Sequence, residues 1–267
     1  MINKIIDFLK DAGEIAMSNY GKSHENSYKS DNAFDIVTET DLKISADFKK
    51  YCANNFADID YIIIDEESVS TLGNKPFEKI NEHEWQFVID PIDGTLMYSS
   101  MIPTFAISIG ILHNGRPHTG AIFAPALNEM VWFDGTAAFW KVGDKQKELI
   151  PNQKEIQKQF FVGAIGHINM DKMWQVSASF GSCCVSELFL ATGRASGYFF
   201  TQSLWDMAGS WALLNYMGFG FFDSVDGKEL KFISGDSFTE NFLIKNLHVV
   251  SKPEQFEEYK TVIKNML

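Results

Sequence analysis

Apolar positions divide the chain into helical and extended stretches. Over the first twenty residues Ile5, Leu9, Ala12 and Ala16 recur at helical spacing, with Asn3 able to cap the start and Gly21 suited to follow the last turn. A polar loop from Lys22 to about Ala33 precedes a second helix from Asp41 to Asn54, with Leu42, Ile44, Ala46 and Phe48 partly apolar. Tyr61 to Ile64 and Trp85 to Ile89 read as short buried strands, and both run into acids. Strand-like segments follow at Thr104–Leu112, Thr119–Ala124 and Glu129–Phe133, with turn signals at Asn114-Gly115 and Pro125. Such a meander predicts a largely antiparallel sheet. The charged stretch from Lys141 to Lys158 is expected to join two lobes, 1–145 and 146–267.

In the second half, Phe160 to Ile165 predicts a strand and Cys183 to Thr192 a helix ended by Gly193. Gly197 to Phe200 reads as a strand and Trp205 to Met217 as a helix closed by Gly218. A last strand, Leu247 to Val250, leads into a C-terminal helix with a capping box from Ser251 to Glu254. Its apolar face would be Phe256, Tyr259, Ile263 and Met266.

Composition narrows the partners. Against 35 Asp and Glu stand 23 Lys and Arg, a net charge of −12 that disfavours nucleic acid and anionic membranes. Residues 94–115 carry no Asp, Glu, Lys or Arg, but Ser99, Ser100, Pro103, Ser108, Gly110 and His113 break any membrane span. The N-terminus is interrupted by Asp7, Lys10, Asp11 and Glu14 and does not read as a signal peptide. Cys52, Cys183 and Cys184 form no disulfide framework, and a cytoplasmic location is expected.

The chemistry lies in a few acids. Asp206 is the only charged residue between Ala195 and Phe222, so its carboxylate is costly unless paired, protonated or metal-bound; a helix cap is the competing reading. Asp90 and Asp93 flank Pro91-Ile92 and precede Gly94-Thr95. That spacing can aim both carboxylates and the Ile92 carbonyl at one point, the oxygen set that hard divalent cations take. Gly94 allows close backbone approach to an anion, whose oxygens the next N–H groups can bind. Glu66 and Glu67 close the Ile62–Ile64 run in the same way, although solvent-facing acids are the plainer reading for Asp65 and Glu67. The histidines at 83, 113, 118, 167 and 248 are scattered and form no ligand cluster.

At these residues the chain resembles the inositol monophosphatase family of magnesium-dependent, lithium-sensitive phosphatases. The matching segments are Asp35–Asp41, Ile64–Ser68, Val88–Thr95, Gly181-Ser182 and Leu204–Gly209. The resemblance implies an α+β fold, a layered α/β/α/β/α sandwich with a smaller mixed sheet in the second half. It implies two or three Mg²⁺, one held by Glu66, Asp90 and the Ile92 carbonyl and another by Asp90, Asp93 and Asp206. Thr95 with Asp41, assisted by Glu66, would activate the attacking water. The N–H groups of Gly94 and Thr95 would hold the phosphate, with Gly181, Ser182 and Cys183 lining the substrate pocket. A homodimer is also implied.

The expected reaction is hydrolysis of a small phosphate monoester, inositol monophosphate first. Nucleotide 3′-phosphatase, fructose-bisphosphatase and histidinol phosphatase activities remain as alternatives, as does a non-catalytic regulatory partner. Three departures from the family pattern bear on substrate. Asp65 replaces a usual Gly, Leu96-Met97 replaces a polar pair, and Phe199–Gln202 supplies no acid where the inositol enzymes carry a Glu for a sugar hydroxyl.

Overall fold

The computed structural model describes residues 1–22, 27–28, 36–73, 75–151, 161–163 and 177–266. Helices α1 (Ile2–Asn19) and α2 (Glu39–Asn55) are separated in sequence by a two-stranded ladder of β1 (Ser27–Tyr28) and β2 (Ile36–Val37). A seven-stranded sheet follows in chain order: β3 (Tyr61–Asp65), β4 (Trp85–Asp93), β5 (Ala106–His113), β6 (Arg116–Ala124), β7 (Glu129–Phe133), β8 (Ala138–Val142) and β9 (Lys145–Leu149). All its neighbours are antiparallel except β3 and β4, whose connection through a 3₁₀ turn (Glu66–Leu72) and α3 (Pro76–Asn81) returns the chain in the same direction. Short α4 (Thr95–Ser99) sits between β4 and β5.

The second sheet has the spatial order β11 (Ser177–Ala178), β10 (Phe161–Gly163), β12 (Gly197–Phe200), β14 (His248–Ser251), β13 (Gly220–Asp223). It is mixed: β10 runs parallel to β11 and β12, whereas β14 is antiparallel to β12 and β13. Helices α5 (Cys183–Ala191) and α6 (Leu204–Tyr216) lie between the sheets. Helix α7 (Phe256–Met266) covers the far side of the second sheet.

Three buried clusters separate these layers. Ile5, Leu9, Ile44 and Phe48 of α1 and α2 pack on Phe87, Ile89, Ile107 and Ile109 of the large sheet. Its other face supplies Val88, Leu112 and Ile122 to a core shared with Leu188, Met207, Trp211 and Phe200. Phe256, Tyr259 and Ile263 of α7 close over Phe199 and Val249, as their helical spacing predicts. The result is the α/β/α/β/α sandwich.

Helix α6 is seated on the large sheet by glycines. A Cβ at Gly110 would overlap the Ala208 carbonyl, and one at Gly120 would lie 2.5 Å from the Gly209 oxygen. A Cβ on Gly209 would lie 2.5 Å from Ser108 Oγ. Backbone meets backbone here because no side chain intervenes.

Several sequence expectations change. Met1, not Asn3, occupies the cap position of α1 and makes no side-chain bond there, while Gly21 does take the positive φ expected after the helix. The charged stretch from Lys141 begins as strands β8 and β9, so the sheet continues past the 145/146 boundary to Leu149. Lys145, Gln146, Lys147 and Glu148 are exposed on an edge strand, where charge discourages pairing with another chain. Ser251 ends β14 with its hydroxyl buried rather than capping a helix. The chain reaches α7 through a 3₁₀ turn, Pro253–Gln255.

Of the expected loop from Lys22 to Ala33, only Lys22, Ser27 and Tyr28 are described. Residues 152–158 of the expected connection, Phe160, Ala164 and Ile165, Asp35 of the matching segments, His167 and the Met266 side chain lie outside what is described.

Candidate active site

Strand β4 ends in a bulge. Its register against β5 shifts between Asp90 and Asp93, as the inserted Pro91 requires, since proline cannot donate to the ladder. Asp90 and Asp93 remain buried, and Asp206 enters from the first turn of α6. One oxygen from each of the three acids lies within 4.8 Å of the others. Asp206 is the acid that the cost of an isolated carboxylate had singled out, and Asp90 and Asp93 are the pair that the spacing across Pro91-Ile92 had.

Each acid is held differently. Asp93 Oδ2 accepts the Cys184 N–H at 2.7 Å and the Ser182 hydroxyl, whose oxygen accepts the Val185 N–H at 3.1 Å as the cap of α5. Asp206 Oδ2 accepts the Ser203 N–H at 2.8 Å, closing a capping box at the start of α6. The cap and cluster readings of Asp206 are therefore both realised. Asp90 shares a carboxyl hydrogen bond with Asp206, while its Oδ1 is buried without a hydrogen-bond partner.

The electrostatics follow from this crowding. Burial, and then the charges of Glu66, Asp93 and Asp206, push the Asp90 carboxyl well above the ordinary range. Burial followed by the charges of Asp93 and Glu66 does the same to Asp206. Burial raises Asp93 to about 6, opposed by the hydrogen bonds from Ser182 and Cys184. Carboxyls packed so closely retain protons unless positive charge is supplied.

Positive potential comes partly from the backbone. Helices α2, α4, α5 and α6 begin at Thr38, Gly94, Ser182 and Ser203, and each of these starts is joined to an acid of the site or its neighbouring threonine. The unsatisfied N–H groups of a helix's first turn favour nearby anions. Gly94 takes φ 86°, and a Cβ there would lie 3.1 Å from the carbonyl oxygens of Gly181 and Thr104 and from the Ser182 Cβ. The two glycine segments noted in the sequence thus meet. Thr104 Oγ1 further ties the region together by donating to the Phe180 carbonyl at 2.7 Å.

Thr95 Oγ1 lies 3.0 Å from the Ile92 carbonyl and 3.4 Å from Asp41 Oδ1. Asp41 is fully buried, and its Oδ2 accepts from the N–H and hydroxyl of Thr38, the cap of α2. Glu66 opens the 3₁₀ turn after β3, close enough for its charge to act on Asp90 and Asp206. Asp41, Glu66, Asp90, Ile92, Asp93, Thr95, Ser182 and Asp206 are therefore neighbours in the fold.

One neighbour differs from expectation. Asp65 is buried rather than solvent-facing. It caps the 3₁₀ turn through the Glu67 N–H, accepts from Ser45 Oγ at 2.5 Å and pairs with Lys49 at 2.6 Å. Cys183 and Cys184 are held as thiols by burial and by the nearby acids, which supports packing over redox chemistry.

Sequence reasoning missed Glu187. It is the only charged residue of α5, is fully buried, and accepts from Gln202 Nε2 at 3.0 Å and Ser210 Oγ at 2.7 Å. Its signal in the sequence is the one Asp206 carries, an acid alone in an apolar run.

A layered α+β fold with a carboxylate cluster at helix starts, together with the kinships below, defines a phosphoric monoester hydrolase. The inositol monophosphatase family model matches residues 1–260, and the chain belongs to that family. A fructose-1,6-bisphosphatase/inositol-1-monophosphatase of Thermotoga maritima is 28% identical over 253 residues, covering 90% of this chain and 89% of that protein. Human inositol monophosphatase 1 is 28% identical, with 83% of each chain covered.

Among solved structures, an inositol monophosphatase from Thermotoga maritima superposes with a TM-score of 0.75 at 21% identity, covering 98% of this chain and 96% of that one. An IMPase/NADP phosphatase complexed with Mg²⁺ and phosphate gives 0.75 at 16% identity, covering 98% and 94%. Among the described residues, no helix is long and apolar enough to cross a membrane.

Proposed function

We propose that the protein hydrolyses the phosphate monoester of a small neutral polyol or sugar, inositol monophosphate foremost, with metal-activated water. The observation that carries this reading is the meeting of Asp90, Asp93 and Asp206 within 4.8 Å, beside the Thr95–Asp41 pair. Mutual repulsion and the partnerless Asp90 Oδ1 suit a divalent cation, whose preferred ligands are carboxylate and carbonyl oxygens. By this reading Glu66, Asp90 and the Ile92 carbonyl would hold one Mg²⁺, and Asp90, Asp93 and Asp206 a second. A third is allowed by the family resemblance. Bound there, Mg²⁺ would lower the pKa of water, neutralise phosphoryl oxygens and stabilise the leaving alkoxide.

The protein's own groups do the positioning. Thr95 has one hydroxyl proton, which it can give to the Ile92 carbonyl or to Asp41. With its hydroxyl directed at Asp41, the Thr95 oxygen accepts a hydrogen bond from the attacking water; as the water attacks, its proton passes to Thr95 while the Thr95 proton passes to Asp41, with Glu66 assisting. The N–H groups of Gly94 and Thr95, at the start of α4, hold the phosphate. Ser182 and Cys184 keep Asp93 from rotating away.

The rim favours a single phosphate on a neutral alcohol. Gly94–Thr104, Gly181–Thr192 and Gly197–Asp206 contain no Lys or Arg, so these segments offer a second phosphate no ionic partner. Met97, the family departure, packs against Gly181 and adds an apolar edge.

The test is phosphate release from inositol monophosphate, sugar monophosphates, a fructose bisphosphate, a nucleotide 3′-phosphate and histidinol phosphate, each with Mg²⁺ or with chelator. Turnover that is lost on chelation and highest with a neutral monophosphate is expected. Equal turnover in chelator would end the metal assignment, and preference for the bisphosphate or nucleotide would end the substrate assignment.

A further inference from the structure

The segment between β13 and β14 lays a tight turn across the start of α6. Phe242 N–H donates to the Thr239 carbonyl at 2.9 Å, and Thr239 N–H to the Leu243 carbonyl at 2.8 Å. That pattern is the three-residue hairpin turn whose last position is left-handed, a place for Gly or Asn. Here it is held by Phe242, with φ 56° and no solvent exposure. Asn114 and Asn128, at φ 50° and 54°, keep the rule elsewhere in the chain.

A bulky side chain in that region is strained, and it persists only where its surroundings over-determine it. Two contacts do so. The Phe242 ring stands edge-on to Phe77 of α3, with centroids 5.3 Å apart, in the core shared with Phe238, Ile244 and Leu204. The Phe242 carbonyl accepts the Leu204 N–H at 2.9 Å. Leu204 is the first residue of α6, and its N–H is one of the donors that a helix cannot satisfy internally.

The turn reaches the candidate site through hydrogen bonds. Ile244 N–H donates to the Gln202 carbonyl at 3.0 Å, so the bonds to Gln202 and Leu204 bracket Ser203, which lies opposite Leu243 in an antiparallel bridge. Ser203 N–H in turn holds Asp206 Oδ2 at 2.8 Å. The next carbonyls of the helix are tied from other elements. That of Trp205 accepts from Ser108 Oγ at 3.2 Å, and that of Asp206 from the Cys184 thiol at 2.9 Å. Those contacts hold the helix, whereas the turn holds the peptide that aims the carboxylate. Were Phe242 to relax to negative φ, its carbonyl would swing away from Leu204 and Ser203 would lose one side of its bracket.

We propose that the Thr239–Leu243 turn, locked by Phe242, is a positioning clamp that sets how tightly Asp206 holds its cation. The proposal rests on the metal reading above and adds a positioning residue outside every matching segment. The strained conformation has a use on this account, since relaxing it frees the peptide whose N–H orients Asp206. Removing a partner that orients a metal ligand commonly weakens metal binding by about 10 to 100-fold.

The test titrates Mn²⁺, which takes the same oxygen ligands as Mg²⁺, into chelator-stripped protein and counts the free ion by electron paramagnetic resonance. Phe242→Ala loses the ring and disfavours a left-handed residue, so the Mn²⁺ Kd rises about tenfold with the ions bound per folded chain unchanged. Phe242→Asn loses the same ring but tolerates the left-handed position, so its Kd rises by about threefold at most. Phe77→Leu leaves residue 242 in place, removes the ring it packs on and raises Kd about threefold. It keeps the test decisive should Phe242→Ala fail to fold. In each variant the Mg²⁺ needed for half-maximal phosphate release rises by the same factor, while ester KM at saturating Mg²⁺ stays within about twofold.

A lower melting temperature or a smaller folded fraction with Kd unchanged is the signature of a merely structural turn. That result in Phe242→Ala, or in Phe77→Leu where Phe242→Ala does not fold, would overturn the proposal. So would Phe242→Asn as impaired in Kd as Phe242→Ala, or a rise in ester KM in place of the rise in Kd. Wild-type protein that takes up no Mn²⁺ would instead remove the metal reading, and this proposal with it.

Discussion

Replacing Asp93 by Asn separates what the cluster costs from what it does. The Asn Oδ1 can still accept from Ser182 and the Cys184 N–H, so the clamp on α5 survives. What disappears is a buried charge among acids. The Asp93 carboxyl holds its proton up to about 6, against 3.8 ordinarily. Its folded-state pKa is raised, so its contribution is fully favourable below about pH 4, falls between about 4 and 6, and is gone above. At neutral pH the ionised group weakens the metal-free fold by about 3 kcal/mol. In a chain of this size that is about 6 to 12 °C in melting temperature.

Metal-free Asp93→Asn is thus expected to outlast wild type at pH 7.5, and the two to converge near pH 4. Millimolar Mg²⁺ should reverse the order at pH 7.5, because wild type gains a ligand that its variant binds weakly. Thermal or denaturant unfolding in chelator and in Mg²⁺, at several pH values, reads all of this. Metal-free curves that coincide at every pH would refute the cost of burying the Asp93 charge, and Mg²⁺ that leaves wild type unmoved would refute the metal site. Full turnover by Asp93→Asn would do the same.

Two further outcomes follow from single contacts. Thr95→Ala removes the hydroxyl beside Asp41 and should lower kcat by about 10² to 10⁴ with KM little changed, measured as phosphate release. Gly110→Ala drives a Cβ into the Ala208 carbonyl and should lower stability by about 3 kcal/mol or more through the seat of α6, read by denaturant unfolding.

The acids at the site were legible because their surroundings were wrong for them. Asp206 stood alone in apolar sequence, and Asp90 and Asp93 sat astride a proline at a strand's end. The meander was legible from alternation and turn residues. Strand β9 was not, because an exposed edge strand rich in Lys and Gln has the composition of a linker. Asp65 misled in the opposite way. Its burial depends on Ser45 and Lys49 arriving from a helix twenty residues earlier in the chain, a pairing that no local pattern announces. Glu187 falls in none of the matching motif segments, although its lone charge in α5 is the same signal as that of Asp206.

Asp41, Asp93 and Asp206 each serve twice: one oxygen satisfies N–H groups where α2, α5 or α6 begins, and the carboxylate also belongs to the candidate site. Asn in any of these places could keep a helix start while removing charge, whereas Ala would lose both. At 93 and 206, where burial opposes the charge, that exchange would also relax the metal-free fold. The helix starts alone therefore do not call for Asp there, and the charge at 93 and 206 has its use only where a cation comes to meet it.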